Sequence, residues 1–275
     1  MTLAERLRVL QEQAGRDAAP RPPSDALSLQ LRRLLGVRAV QRQRTPLAAP
    51  AGTRLADGLY LVQTRWPSDA PAQLHLPGPD TTAVARERLV CFDTETTGLA
   101  GGVGTKAFML GLAQWQGGQL LVRQLYLTAL AGEAAMLDTF AAWLAPDSIL
   151  VSYNGRSYDA PLLKGRYRLQ RREHPFEDRP HLDLLHAVRR AFRGVWANCR
   201  LATVERELLG IVREDDLPGA QAPAAWLAFL RGEGSRELGR VIDHNRQDLR
   251  SLAALLQWFG TPRWGEAGAT AACAV

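Results

Sequence analysis

Asp93 and Glu95 stand two residues apart in FDTETTGL, residues 92–99. On a strand, residues i and i+2 point to the same face, so the two carboxylates lie side by side and repel each other. A divalent cation between them removes that repulsion. Asp159 follows an Asn-Gly turn in VSYNGRSYDAPLL, residues 151–163, and opens a predicted helix. A helix-capping role is the structural alternative there. His244 and Asp248 in DHNRQDLRSLAALL are i and i+4, one turn apart on one helix face. Seen alone, they also suit a mixed-charge surface helix. Together, Asp93, Glu95, Asp159 and Asp248 are four hard oxygen donors from three elements, suited to Mg²⁺ or Mn²⁺ rather than zinc. Two such ions about 3.5–4 Å apart can clamp the attacking water and the leaving oxygen in phosphodiester hydrolysis. His244 has the chemistry of a general base for that water, because imidazole titrates near neutral pH.

These residues need elements that bring them together. RLVCFDTE (88–95) reads as a short apolar strand ending in acids. AFMLGLAQW (107–115) and QLLVRQLYL (119–127) flank Gly117–Gly118, a hairpin signal. Glu133–Leu144 reads as a helix with Met136, Leu137, Phe140 and Leu144 on one face. SILVSY (148–153) is a fourth strand, Asp159–Gln170 a helix, and His181–Leu185 a fifth strand or a helix lead-in. Leu201–Leu209, Ala222–Leu230 and Ser235–Phe259 read as further helices, the last with room for a bend at Gly239. An antiparallel meander followed by parallel strands through helical crossovers is an α/β pattern. It suits an RNase H-like mixed sheet flanked by helices, and lacks the eight strand–helix units of a TIM barrel.

Residues 1–84 differ. AAPRPP, PLAAP, PSDAPAQ and PGP interrupt two short amphipathic candidates, Leu3–Gln13 and Asp25–Leu35, the second capped by Ser24 or Asp25. DGLYLVQTRW (57–66) can add a strand pair or an edge. The region reads as a partly irregular, partly helical N-terminal arm with little core of its own. Residues 85–262 form the folded domain, and 263–275 are a small, apolar C-terminal tail.

The 275 residues are 46% hydrophobic and 23% charged, which excludes a wholly disordered chain and a collagen-like repeat. No apolar run is long enough for a membrane span, and MTLAERLRVLQEQ carries charges where a secretory signal would be apolar. Cys91, Cys199 and Cys273 form no CxxC pair, so a zinc ribbon is not expected, and reduced thiols in a cytoplasmic protein are. The net charge is +6, and Arg supplies all but two of the 34 basic residues. Such a balance favours nucleic acid or anionic lipid as a partner, though +6 is mild.

In that order, FDTETTGL, YNGRSYDAPLL and HNRQD resemble the three motifs of the DEDD 3′–5′ exonuclease superfamily. FDTETTGLAGGVGTKAFMLGLAQW is similar to the first motif and hairpin of its YprB-like RNase H-like exonuclease family. The second motif also resembles that of the proofreading domain of family B DNA polymerases. The resemblance covers residues 85–262. It implies a two-metal exonuclease using Mg²⁺ or Mn²⁺ on single-stranded DNA or RNA, with Asp93, Glu95, Asp159 and Asp248 as metal-binding acids. His244 falls at the position of the catalytic His or Tyr. The spacing departs from the histidine type: three residues separate His244 from Asp248 where four are usual, which is the tyrosine-type gap.

Asn154 and Tyr158 flank the second motif as candidate substrate contacts, with a turn-forming Asn and a core Tyr as the alternatives. Segment 164–193 carries Lys164 and eight Arg against four acids. Arg166 and Arg168 in it are candidate phosphate contacts, and a solvated helix face is the alternative. Asp183 is a further acid near the sheet, and His174, His181 and His186 read as ordinary polar residues. Gly101, Gly102 and Gly104 lack the GK[ST] ending of a P-loop. Two other functions fit less of the sequence: a catalytically weak nucleic-acid-binding or scaffold module, and a haloacid-dehalogenase-type phosphatase suggested by D-x-E-x-T, which leaves HNRQD without a role.

Overall fold

The structure, a computed structural model, describes residues 52–78, 82–98 and 104–260. The predicted helices Leu3–Gln13 and Asp25–Leu35, Gly101, Gly102, Cys273 and the tail 263–275 lie outside the described residues.

Seven strands form one mixed sheet in the order β1 (Thr53–Ala56), β2 (Leu59–Pro67), β7 (Gln119–Leu127), β6 (Ala107–Gln116), β5 (Leu89–Thr96), β8 (Ile149–Ser152), β9 (His181–Asp183). Strands β5 (Leu89–Thr96), β6 (Ala107–Gln116) and β7 (Gln119–Leu127) make an antiparallel meander. The β6–β7 turn uses Gly117 and Gly118, both at positive φ (54° and 77°), as a two-residue hairpin of this hand requires. β8 (Ile149–Ser152) and β9 (His181–Asp183) then pair in parallel beyond β5. Helices α1 (Glu133–Ala142) and α2 (Asp159–Leu169) serve as the crossovers, and α3 (Leu184–Phe192) follows β9. They are followed by α4 (Leu201–Val204), which runs on into a π-helical turn at Glu205–Leu209, then α5 (Ala222–Arg231) and α6 (Arg236–Phe259). α6 is one uninterrupted helix through Gly239.

Alternation along β5 feeds two apolar clusters. Val90 and Phe92 join Phe108, Leu110, Met136, Phe140, Leu163 and Tyr167. Leu89 and Cys91 join Trp115, Val122, Val188, Leu252 and Leu256. Both faces of the central strands are therefore covered, which is why LVCF reads as an unbroken apolar run. The face of α1 expected from its spacing is the buried one: Met136, Leu137, Phe140 and Leu144 all lie in the core.

The N-terminal boundary is corrected. β1 (Thr53–Ala56) and β2 (Leu59–Pro67) extend the main sheet, β2 pairing with β7 from Leu59–Leu127 to Pro67–Gln119. β3 (Gln73–His75) and β4 (Ala83–Ala85) form a separate pair whose Leu74 and Val84 pack in the second cluster. Residues 53–78 and 82–85 thus fold with the sheet rather than as an arm. The sequence disguised this because β2, paired with β1 only as far as Leu61, is half-exposed along most of its length. It covers β7, whose unpaired backbone would otherwise lie open.

Candidate active site

β5 outruns its parallel neighbour. Pairing with β8 stops at Cys91–Val151, while pairing with β6 continues past Asp93–Gly111 and Glu95–Met109. The last residues of β5 therefore project beyond the carboxyl end of β8, where an open α/β sheet leaves a crevice. Asp93 and Glu95 share a face there, as i and i+2 must. Thr94 points the other way, and its hydroxyl donates to Asp159 Oδ1 at the start of α2. Asp159 gets there through the Asn154–Gly155 turn: Asn154 adopts φ 65°. A Cβ on Gly155 would stand 2.6 Å from the Ser152 side chain and 3.0 Å from Asp159 Oδ2.

α6 docks against the same strand end through a buried amide relay. Asn245 Nδ2 donates to Asp93 Oδ2 (2.8 Å), and Gln124 Nε2 donates to Asn245 Oδ1 (2.9 Å) and to the Ile242 carbonyl (2.7 Å). Asp93, Gly111 and Gln124 are cross-strand partners in one row. Gly111 is required in the middle of that row, because any Cβ would run into the Asn245 and Leu249 side chains. One turn on from Asn245, α6 presents Asp248.

The four acids feel one another. Burial pushes Asp93 well above the usual carboxylate range, with Asp248, Asp159 and Glu95 adding repulsion and the Asn245 amide opposing it. Glu95 is raised in the same way, by burial and then by Asp248, Asp159 and Asp216, with Arg213 opposing. Asp159 is pushed up to about 6 by burial, against the pull of the Thr94 hydroxyl. Asp248 is raised by burial, partly offset by His244 and Arg213.

A second group surrounds His244. Its Nδ1 lies 2.7 Å from Asp216 Oδ1, and its Nε2 lies 3.6 Å from Asp248 Oδ2. Arg213 ties this group together: Nε and Nη2 bond the buried Glu205 (2.7 and 2.5 Å), Nη1 reaches Asp216 (3.1 Å), and Nη2 also bonds Asp248 Oδ1. The Ser251 hydroxyl donates to Glu205 as well. A cavity of about 600 Å³ opens beside His244 and Asp216.

With this geometry in view, residues 90–260 match the RNase H superfamily. The chain belongs to that superfamily. Over 171 residues it is 38% identical to YprB, an uncharacterized protein of Bacillus subtilis (strain 168). The match takes in 62% of this chain and 41% of YprB. Among solved structures, the family B DNA polymerase of the hyperthermophilic archaeon Pyrobaculum calidifontis aligns at TM-score 0.49 and 14% identity, over 78% of this chain and 32% of the polymerase. E. coli Exonuclease I in complex with a dT13 oligonucleotide aligns at TM-score 0.38 and 14% identity, over 56% and 43%. The chain thus spans less than half the length of each of these relatives.

In this superfamily member, the donor set fits a hard divalent cation in its chemistry: all-oxygen, buried, and short of positive charge. It is not closed around an ion, for among the described residues no three His, Cys, Asp or Glu side chains form a ready metal cage. Asp248 instead has Arg213 for a counter-charge.

The other expected contacts divide. Arg168 and Tyr158 are exposed, Tyr158 at 57%, so it is no core residue. Asn154 is the turn former. Arg166 is corrected: its guanidinium is buried and holds Glu133 through two bonds (2.5 and 2.7 Å), so it cannot face a phosphate. Asp183 is a buried structural acid. It accepts from the backbone N–H groups of Asn154 (2.7 Å), Arg156 (3.1 Å) and Leu185 (3.1 Å), capping α3 and pinning the β8–α2 loop. Sequence reasoning missed Asn245, Gln124, Gly111, Arg213 and Asp216. Asn245 lay inside the HNRQD motif, next to His244; for the others no spacing signal existed.

Proposed function

We propose that the protein is a metal-dependent 3′–5′ exonuclease that hydrolyses phosphodiester bonds of single-stranded DNA or RNA by a two-metal mechanism. The observation that carries this reading is the convergence of Asp93, Glu95, Asp159 and Asp248 at the carboxyl end of β5, each held above its ordinary pKa. Superfamily membership supports nuclease chemistry. The motif resemblance supports the 3′–5′ polarity.

In this mechanism the four acids would hold Mg²⁺ or Mn²⁺, which would supply Lewis-acid polarisation of the phosphoryl oxygens and a nucleophilic water at neutral pH. Thr94 and Asn245 fix the carboxylates of Asp159 and Asp93. His244 is the general base: with Nδ1–H donated to Asp216, the lone pair on Nε2 is free to take a proton. Asp216 positions that ring, and Arg213 in turn positions Asp216. Asn154, Tyr158 and Arg168 contact the substrate strand. The test is a 5′-labelled single-stranded oligonucleotide incubated with the full chain and Mn²⁺. A ladder shortening from the 3′ end is expected, absent with EDTA and absent in Asp93→Ala. Undiminished cleavage by Asp93→Ala would falsify the assignment.

One observation favours a second reading, a binding or scaffold module with little turnover: Arg213 already neutralises Asp248, and the acids are not closed into a cage. That reading expects salt-dependent strand binding and no ladder with either metal.

A further inference from the structure

A cavity of about 490 Å³ lies between the β8–α2 loop, the carboxyl end of α3 and the start of α4. Tyr153, Asn154, Arg189, Arg193, Asn198 and Arg200 line it, and no Asp or Glu does. Most polar groups in its wall that could accept a hydrogen bond are already engaged. The Tyr153 hydroxyl donates to the Cys199 carbonyl (2.6 Å), and Asn198 Oδ1 takes the Arg200 backbone N–H (3.0 Å) and the Thr203 hydroxyl (2.8 Å). The guanidiniums of Arg189, Arg193 and Arg200 have no acidic partner among the described residues. Elsewhere in the molecule Arg54, Arg86, Arg88, Arg172, Arg213 and Arg240 each pair with an acid. The wall between α3 and α4 is also braced. Phe192 stacks on Trp196 (centroids 3.9 Å apart, planes 9° apart), Arg193 bridges to Trp196, and Gly194 makes the turn at φ 85°. Such a surface offers donors and positive charge and few acceptors, which suits an anion. Its position is informative: Tyr153 and Asn154 immediately precede Gly155, whose Cα faces Asp159.

We propose that this pocket holds a backbone phosphodiester group of the same single strand whose terminal linkage lies at the acid cluster. The proposal rests on the exonuclease reading above and adds the second point at which the strand is gripped. The grip sets strand affinity and leaves the chemistry at a single linkage untouched.

The experiment uses the full-length protein in EDTA and a fluorescein-labelled 12-mer of single-stranded DNA, with anisotropy read across a KCl series. In Arg189→Gln/Arg193→Gln/Arg200→Gln, the loss of one neutralised phosphate should reduce the slope of log K against log [KCl] by about 0.7. Affinity should fall at least tenfold. Arg54→Gln/Arg65→Gln, on the outer strands β1 and β2, should leave the slope unchanged. With Mn²⁺ restored, hydrolysis of thymidine 5′-(p-nitrophenyl phosphate) by the triple variant should stay within twofold of the parent. An unchanged slope in the triple variant overturns the pocket while leaving the exonuclease reading intact. Loss of small-ester hydrolysis equal to the loss of strand affinity overturns it too, since the arginines would then serve the chemistry. Weakened binding of inorganic phosphate with an unchanged strand slope makes it a free-anion site and overturns it likewise. A parent protein that neither binds nor shortens the strand removes the exonuclease reading, and the pocket with it.

Discussion

Two buried clusters of charge sit at the edges of the same core, and they are built on opposite terms. On one side Glu133, only 2% exposed, is surrounded by Arg166, Lys106 (3.3 Å) and Gln170 (2.8 Å). Burial pushes its pKa up, yet these partners together hold it below the ordinary glutamate value of 4.5. Every oxygen is answered, and α1, α2 and the start of β6 are tied together. On the other side Asp93, Glu95, Asp159 and Asp248 crowd one crevice with Arg213 as the cation at Asp248, and all four are raised. The first cluster is a balanced structural joint. The second keeps an excess of negative charge that the fold alone does not resolve, which supports the proposal that these acids hold a divalent cation.

The comparison predicts opposite responses to neutralising one acid in each. Asp93→Asn keeps an acceptor for the Asn245 amide but removes one of four repelling charges. Nuclease activity should fall about a thousandfold or more, since several kcal/mol of charge stabilisation are lost at about 1.4 kcal/mol per decade. In EDTA its melting temperature should rise. A fall would show that the acids are not in conflict. Glu133→Gln leaves Arg166 buried without its counter-charge and should cost about 3–5 kcal/mol, on the order of 10 °C in melting temperature, with residual activity per folded molecule unchanged. The pH dependence follows from the sign. Because the folded Glu133 holds its proton less tightly than the unfolded one, its contribution is complete above pH 4.5 and is lost as pH falls through the lowered folded value. The gap between parent and Glu133→Gln in urea denaturation should therefore be constant at neutral pH and close in acid. A gap that persists in acid would mean that the Glu133 network is held by packing rather than charge.

The two clusters were not equally legible. The crevice residues lie in short motifs at strand and helix ends, so their types taken together, and the resemblance of the ordered motifs to DEDD exonucleases, brought Asp93, Glu95, Asp159, His244 and Asp248 into view. The meander and crossovers were equally open, because β6 and β7 are apolar runs flanking a Gly-Gly turn and α1 carries its apolar residues at helical spacing. The Glu133 joint was invisible: its partners lie 27 and 33 residues along the chain, and no local pattern marks such a pairing. Arg166 was misread as a phosphate contact for that reason, since a buried Arg and a surface Arg look alike in a basic helix. Arg213 and Asp216 sit in the irregular segment between the π-helical turn and α5, where periodicity gives no orientation. β2 was only half seen because its exposed side makes it resemble a linker.

Smaller perturbations sharpen the contrast at the docking of α6. Gly111→Ala inserts a methyl group against Asn245 and Leu249, and overpacking of that kind costs about 1–3 kcal/mol. The loss should appear in urea denaturation, with a parallel drop in activity because the amide that fixes Asp93 is displaced. Stability loss with full activity would show that Asn245 does not position Asp93.

The smallest effect is expected at Asp216. Its side chain is 27% exposed, and Arg213 keeps Glu205 and Asp248 without it, so Asp216→Ala should melt within a degree or two of the parent. What it removes is the acceptor at His244 Nδ1. Arg213 Nη1, 3.2 Å away, is then the remaining partner of Nδ1, and as a donor it favours the proton on Nε2, which leaves fewer molecules with the lone pair there. The expected result is a kcat about tenfold lower, about 1.4 kcal/mol, at an unchanged KM for the strand. Asp216→Asn, which keeps an oxygen acceptor at Nδ1, should recover most of that rate. If Ala and Asn behave alike, the Asp216 charge matters rather than its hold on the ring. If both are silent, His244 needs no orienting partner, and the charged cluster around Arg213 is as purely structural as the one around Glu133.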